Sequence, residues 1–362
     1  MSFLTFIAVL SVLIIVHEWG HFITAKRLGV KVERFSLGFG PRFFSFVHQG
    51  TEFMICAIPL GGYVKMAGDE RSAHQGKPEE YYSHPPGQRA LIVLMGPVVN
   101  YILAFLCLWA VFVMGYPTLS PKVGRILEGY PAQQAGLQKG DVILRIDAKD
   151  IESWEDVQGY ISGSKSPQLN FVILRDGSKS EMTITPKQEV TKNIFGQKVK
   201  ARRVGIIPEE EIVVLKYGLV ESLVRSFGNL AEITVTTYKA IWHMMTGALS
   251  PKQAITGPVG IFFIIQKASD LGFSYLLYIV GVISASLAIF NVLPFPVLDG
   301  GHLVLLGVER LRGRALPVKV DEAISKVGLS LIILLALYVC YIDFDRFGWI
   351  DKIIGLWNQI GL

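Results

Sequence analysis

Charge is scarce in this 362-residue chain. Asp, Glu, Lys and Arg together make 18% of it, where an ordinary soluble domain carries about 25%. Set against 51% hydrophobic residues, that deficit argues against a soluble enzyme, and it excludes intrinsic disorder, which needs low hydrophobicity and high charge. Cysteine is scarcer still. Cys56, Cys107 and Cys340 lie far apart and form no CxxC pair, which excludes a disulfide framework and a cysteine-ligated zinc site. No internal repeat is visible, and this disfavours a transporter built from repeated halves. The first apolar block has no basic residue before it and no small-residue cleavage site after it, so it does not read as a secretory signal. The net charge of +5 is a mild excess, as compatible with membrane-flanking loops as with nucleic acid.

What is present is apolar and blocked. Residues 3–16 are uninterrupted apolar or small sequence and continue helically to Ala25; residues 90–114 contain no charge. Residues 275–298 and 327–342 form two further uncharged blocks. About 20 apolar residues cross a ~30 Å hydrocarbon core, so the chain reads as a polytopic α-helical membrane protein with four transmembrane helices. Lys26, Arg27, Lys31 and Arg34 follow the first block, Arg89 precedes the second, and Arg310, Arg312, Arg314, Lys319 and Lys326 separate the third from the fourth. Basic residues mark cytoplasmic loops. Both termini and the long insert are therefore expected outside, in a bacterial cytoplasmic (inner) membrane.

The insert has ordinary composition. Short strands alternate with glycine turns through Val123-Gly124-Arg125-Ile126, PAQQAGL and KGDVILRID, and Asp176-Gly177 reads as the turn of a β-hairpin. This pattern resembles a PDZ domain of the kind found beside bacterial membrane proteases. Such α+β domains capture extended peptides by strand addition, and the groove is expected to begin at Val123, Gly124, Arg125 and Ile126. A steric plug without a peptide ligand is the alternative. Beyond it, residues 212–249 carry Leu215, Leu219, Leu223, Phe227 and Leu230 at helical spacing, as an amphipathic helix or helix pair on the outer surface would; a packing linker is the simpler reading.

The chemistry sits in the first block. His17-Glu18-Trp19-Gly20-His21 is HExxH, which puts two imidazoles on one helical face and Glu18 within reach of a metal-bound water. Ionisable groups in a spanning helix are costly and therefore functional by default. His17 lies 14 residues from Phe3, about 21 Å at ~1.5 Å per residue, past the midplane toward the cytoplasm. The acid at matching depth is Asp299, inside Asn291-Val-Leu-Pro294-Phe-Pro296-Val-Leu-Asp299-Gly-Gly-His302. Pro294 and Pro296 break the helix, and backbone freed there must be buried in protein or line a wet cavity, so both are expected at the substrate, where its helix could be unwound. His302, nearer the surface, is the poorer ligand candidate.

HEWGH in the first span, NVLPFPVLDGGH in the third and a PDZ insert between spans two and three are similar to the site-2 protease family of intramembrane zinc metalloproteases, in its RseP-type bacterial branch. GFG at 38–40, GGYVKMAGDE at 61–70 and MGPVVN at 95–100 belong to the same resemblance. It implies one zinc ion on His17, His21 and Asp299, Glu18 as catalytic base, and Asn291 holding the substrate strand. It also implies a membrane-reentrant β-hairpin sheet around Gly38, Phe39 and Gly40, whose edge an extended substrate could join. Substrates implied are transmembrane proteins such as anti-sigma factors or remnant signal peptides, with the lipid bilayer as surroundings and no nucleic acid. Members often carry two tandem PDZ domains, whereas the space here fits one. The expected segments are 1–115 (spans one and two with the hairpin), 116–208 (PDZ), 209–270 (amphipathic helical), 271–345 (spans three and four) and 346–362. In the last, Ile350, Ile353, Ile354, Trp357 and Ile360 share a face suited to an interfacial helix. The rival reading is a non-catalytic scaffold binding exposed peptide termini through its PDZ domain; a complete HExxH with its aspartate argues against it.

Overall fold

The computed structural model describes residues 2–192 and 198–346; the expected interfacial helix at 346–362 falls almost wholly outside them. From the N terminus the chain runs through α1 (Ser2–Arg27), β1 (Val32–His48), β2 (Thr51–Met66) and α2 (Pro86–Met114). Next come β3 (Val123–Ile126), α3 (Trp154–Gly163) and β4 (Ile206–Pro208), among other short strands. The chain continues as α4 (Leu219–Met245), α5 (Pro258–Asp270), α6 (Phe273–Val292), α7 (Asp299–Arg312) and α8 (Val318–Arg346). Two compact units result. One comprises Met1–Ala110, Leu223–Lys239 and Pro251–Leu362; the other comprises Val111–Ser222 and Ala240–Ser250.

In the first unit, α1, α2, α6 and α8 are long and apolar enough to cross a membrane. The chain is a multi-pass membrane protein, as its uncharged blocks suggest. α1 ends where Lys26 and Arg27 complement the negative end of the helix dipole and Gly29 turns at φ +85°. The third block departs from expectation. Its helix stops at Val292, because Leu293 precedes Pro294 and is extended at ψ 142°. Residues 293–298 form a loop in which Val297 sits at φ +75°, a costly conformation for a β-branched residue that often accompanies functional sites. Asp299 then opens its own helix. A Cβ on Gly300 would lie 2.2 Å from the Leu293 carbonyl oxygen, and one on Gly301 2.2 Å from that of Phe295, so the loop can fold back only onto glycines.

β1 and β2 are long, bent strands that each contribute two runs. Residues 32–37 pair antiparallel with 62–66. On their other side, Arg34↔Glu52 through Leu37↔Ile55 rise together, which makes that seam parallel. Residues 44–48 pair with 51–55 beyond it. The bends occur at Gly38 (φ +88°), Gly40 (φ +89°) and Gly61 (φ +117°), and 62–66 forms the sheet edge beside α1. The helix α4 packs through Leu230 against Ala104, Leu108 and Ala285 of α2 and α6, and Tyr101 Oη lies 2.7 Å from Thr234 Oγ1. Val220, Val224 and Trp242 remain exposed. It starts later than its periodicity suggests, because Ile212–Leu215 is a strand paired with Tyr116–Leu119.

The second unit is α+β. A four-stranded sheet, whose order is Lys149–Asp150, Val142–Ile146, Leu169–Arg175, Ser178–Ile184, buries Ile143, Ile146, Phe171 and Ile173 against Trp154 and Val157 of α3. Asp176 (φ 48°) and Gly177 (φ 80°) make the expected hairpin turn. A Ser153–Asp156 capping box starts α3. Burial opposes ionisation of Asp156, but bonds from Lys149 and the Glu152 amide hold its carboxyl below the ordinary range.

Strand addition at Val123–Ile126 does not fit this unit, and that expectation is corrected. Val123 already exchanges main-chain bonds with Gly140 and Asp141, while Arg125 and Ile126 pair with Ile207 and Ile206 of β4. Both sides of β3 are engaged. Among the described residues, no strand other than β3 pairs with β4.

Asp141, 1% exposed, accepts from Arg175 through Nε at 2.8 Å and Nη2 at 2.7 Å. Arg175→Met leaves the buried Asp141 carboxylate without its guanidinium partner and is expected to destabilise the sheet. Hydrogen exchange in Val142–Ile146 and Leu169–Arg175 is expected to accelerate; exchange at the wild-type rate would refute the role of the pair.

Candidate metal centre

The α1 periodicity brings the two HExxH imidazoles together, with His17 Nε2 and His21 Nε2 3.2 Å apart. The folded-back loop delivers Asp299 Oδ2 to 3.2 Å from His17 Nε2 and 3.6 Å from His21 Nε2. Ligand atoms about 2.0–2.1 Å from one tetrahedral zinc stand roughly 3.3 Å from one another, close to all three separations. The proton inventory agrees. His21 Nδ1 lies 2.9 Å from the Ile92 carbonyl oxygen and must donate there, which in the neutral imidazole leaves Nε2 a bare lone pair. Asp299 Oδ2 is buried without a hydrogen-bond partner. Acceptors converging at such short range repel unless a cation lies between them. The donor set, two neutral imidazoles and a carboxylate with a fourth position open, is that of a catalytic zinc site.

α1 and α2 touch at two glycines. A Cβ on Gly20 would lie 2.2 Å from the Met95 carbonyl oxygen, and one on Gly96 would lie 2.3 Å from His21 Nε2. The motif glycines therefore allow α2 to press on the ligand rings. Reading the residues in order did not single out Gly20, Gly96 or Asn100 for roles. The available signal was their place within the HEWGH and MGPVVN segments.

The site opens into a cavity of about 410 Å³ lined by His17, Glu18, Tyr63, Asn291 and Asp299. Glu18 is within electrostatic range of both histidines, Asp299 and the Val64 amide. Gly62 of the sheet edge packs on Ile14 and Glu18. Farther along the same cavity stand Arg71, Arg89, Glu309 and Asp321. Glu309 accepts from Arg71 at 2.8 Å and from Arg89. Burial would raise its carboxyl, but the two guanidiniums hold it below the ordinary range. Burial pushes the Tyr81 hydroxyl up, so it stays neutral. This polar end was not foreseen, because its members come from four separate segments.

The remaining expected residues stand one step away. Phe39 stacks on Tyr63 with ring centroids 6.0 Å apart, so the 38–40 bend supports the lining without forming it. Pro294 lies in the loop, and Pro296 packs against α8 at Gly328. Neither ring lines the cavity.

A multi-pass helical protein with HExxH and a convergent aspartate beside a half-buried glutamate has the composition of a membrane metallopeptidase. The sequence pattern of peptidase family M50 matches residues 5–335, and the chain belongs to that family, the site-2 proteases. Cj1068 of Campylobacter jejuni, named as a zinc metalloprotease, is 34% identical over 95% of this chain and 94% of its own. The metalloprotease MmpA of Caulobacter vibrioides is 31% identical over 97% of each. A solved PDZ domain of an SdrC-like protein from Listeria innocua covers 25% of this chain and 96% of its own, with 22% identity and a TM-score of 0.21 that by itself decides nothing. This protein is a zinc metalloprotease.

Proposed function

We propose that this protein hydrolyses peptide bonds inside the bilayer, within transmembrane segments of membrane-protein substrates. The observation that carries the reading is the convergence of His17, His21 and Asp299 in the cavity that also holds Glu18. Zinc held by these three would polarise the scissile carbonyl as a Lewis acid and make water a stronger nucleophile. Glu18 takes the water's proton and passes it to the leaving amine as the C–N bond breaks. A helical substrate hides its carbonyls, so it must first be extended. The 62–66 edge offers main-chain pairing beside Glu18, and Asn291 holds the opened strand. The charged end of the cavity admits water from the aqueous side.

The second unit acts as a PDZ domain that screens substrates. Its groove is the outer edge of β4 alongside α3, with Gly205 (φ +86°) turning the chain before it. Both termini and this domain lie outside a bacterial inner membrane. Single-span proteins trimmed of large ectodomains, such as anti-sigma factors or remnant signal peptides, are the substrates. A scaffold that only binds peptide ends is the competing reading.

The test is the purified full-length protein in detergent with a transmembrane peptide. A new cleavage product is expected that a zinc chelator suppresses and added zinc restores. Peptide binding without a chelator-sensitive product would favour the scaffold.

A further inference from the structure

His17 turns Nε2 toward the other two ligand atoms, so its ring proton belongs on Nδ1, where it needs an acceptor. The side chain opposite Nδ1 is Asn100, whose Nδ2 stands at 3.4 Å. Two N–H groups cannot bond each other. Asn100 is 0% exposed, and its Oδ1 has no hydrogen-bond partner. The two ends of an amide are assigned by the bonds they make, and a half-turn sets acceptor against donor.

We propose that Asn100 is a positioning residue: its Oδ1 accepts the His17 Nδ1 proton and so fixes the tautomer and ring plane in which Nε2 meets zinc. On this assignment α2 orients both ligands of α1, through the Ile92 carbonyl at His21 and the Asn100 amide at His17. Asn100 is itself anchored. Its backbone carbonyl receives Ser284 Oγ of α6 at 2.7 Å, on the helix that leads into the Asp299 loop. The residue thus ties together the two parts of the chain that supply ligands. Partners that orient a zinc-bound histidine in this way commonly govern metal affinity by 10- to 100-fold.

The inference rests on His17 being a zinc ligand, and the test separates the two. Zinc affinity is measured by chelator competition on the detergent-solubilised full-length protein, together with the visible spectrum of its cobalt-substituted form. Asn100→Leu, similar in volume without an acceptor, is expected to bind zinc about 10- to 100-fold more weakly and to shift the cobalt bands. Asn100→Asp keeps an acceptor and is expected to stay within a few-fold of wild type. Wild-type affinity and an unshifted spectrum for Asn100→Leu would overturn the proposal. If that variant does not fold, Asn100→Asp decides, since a large loss there would mean that His17 uses the Nδ2 hydrogen. His17→Ala is the control: undiminished zinc binding in it would remove the ligand reading itself.

Discussion

Glu18→Gln is expected to lower turnover of a transmembrane peptide by about 10²- to 10⁴-fold, the usual contribution of a positioned general base, with zinc content unchanged. Glutamine has nearly the same shape and can still fill the space beside Gly62, which packs on the Glu18 side chain. It cannot take a proton from water. The proposed ligand atoms are those of His17, His21 and Asp299, the three that converge closely enough to hold a metal ion, so the metal should remain. Metal analysis of the purified variant and product quantification by mass spectrometry check both halves. Retained turnover would remove Glu18 from the chemistry, whereas lost zinc would mean that it is a ligand or supports one.

Gly96→Ala is expected to damage the centre comparably although it adds one methyl group to an apolar helix. The new Cβ would lie 2.3 Å from His21 Nε2 and 2.9 Å from His17 Cε1. Neither ring can retreat and keep its place, because both must aim Nε2 at Asp299. α2 cannot simply shift, because Gly20 already brings α1 against the Met95 carbonyl. A misplacement of about 1 Å can cost 10²-fold in rate, so activity should fall at least that far, with weaker zinc retention. Gly307→Ala is the matched control. It lies within α7, and nothing stands within 4 Å of its added Cβ, so a neutral or slightly stabilising effect is expected. Full activity in Gly96→Ala would show that the two helices are less closely packed around the rings.

Much of the site could be read from the chain in order. HExxH places two imidazoles on one face of any α-helix, because three or four residues make a turn. Asp299 followed from depth and charge, being the acid where the third block reaches the level of His17. Asn291 was expected at the substrate and does line the cavity. The weaker expectations required knowledge of pairing across the fold. Val123–Ile126 looks like a groove strand locally, yet whether its edge is open depends on β4, some eighty residues later. Ile212–Leu215 has helical spacing when joined to Leu219 and Leu223, but Tyr116–Leu119 draws it into a strand.

The chain's own order of residues determined the membrane class, the four long apolar helices among the described residues and the candidate metal-binding side chains, because water exclusion and helical period act on neighbours in sequence. Only the tertiary structure decided which groups stand against those side chains and how closely they approach. Gly20, Gly96, Asn100 and the Arg71–Arg89–Glu309 cluster acquire meaning through how closely separate segments approach. That closeness is set by packing between helices, where a single methyl group or one turned amide is large enough to matter.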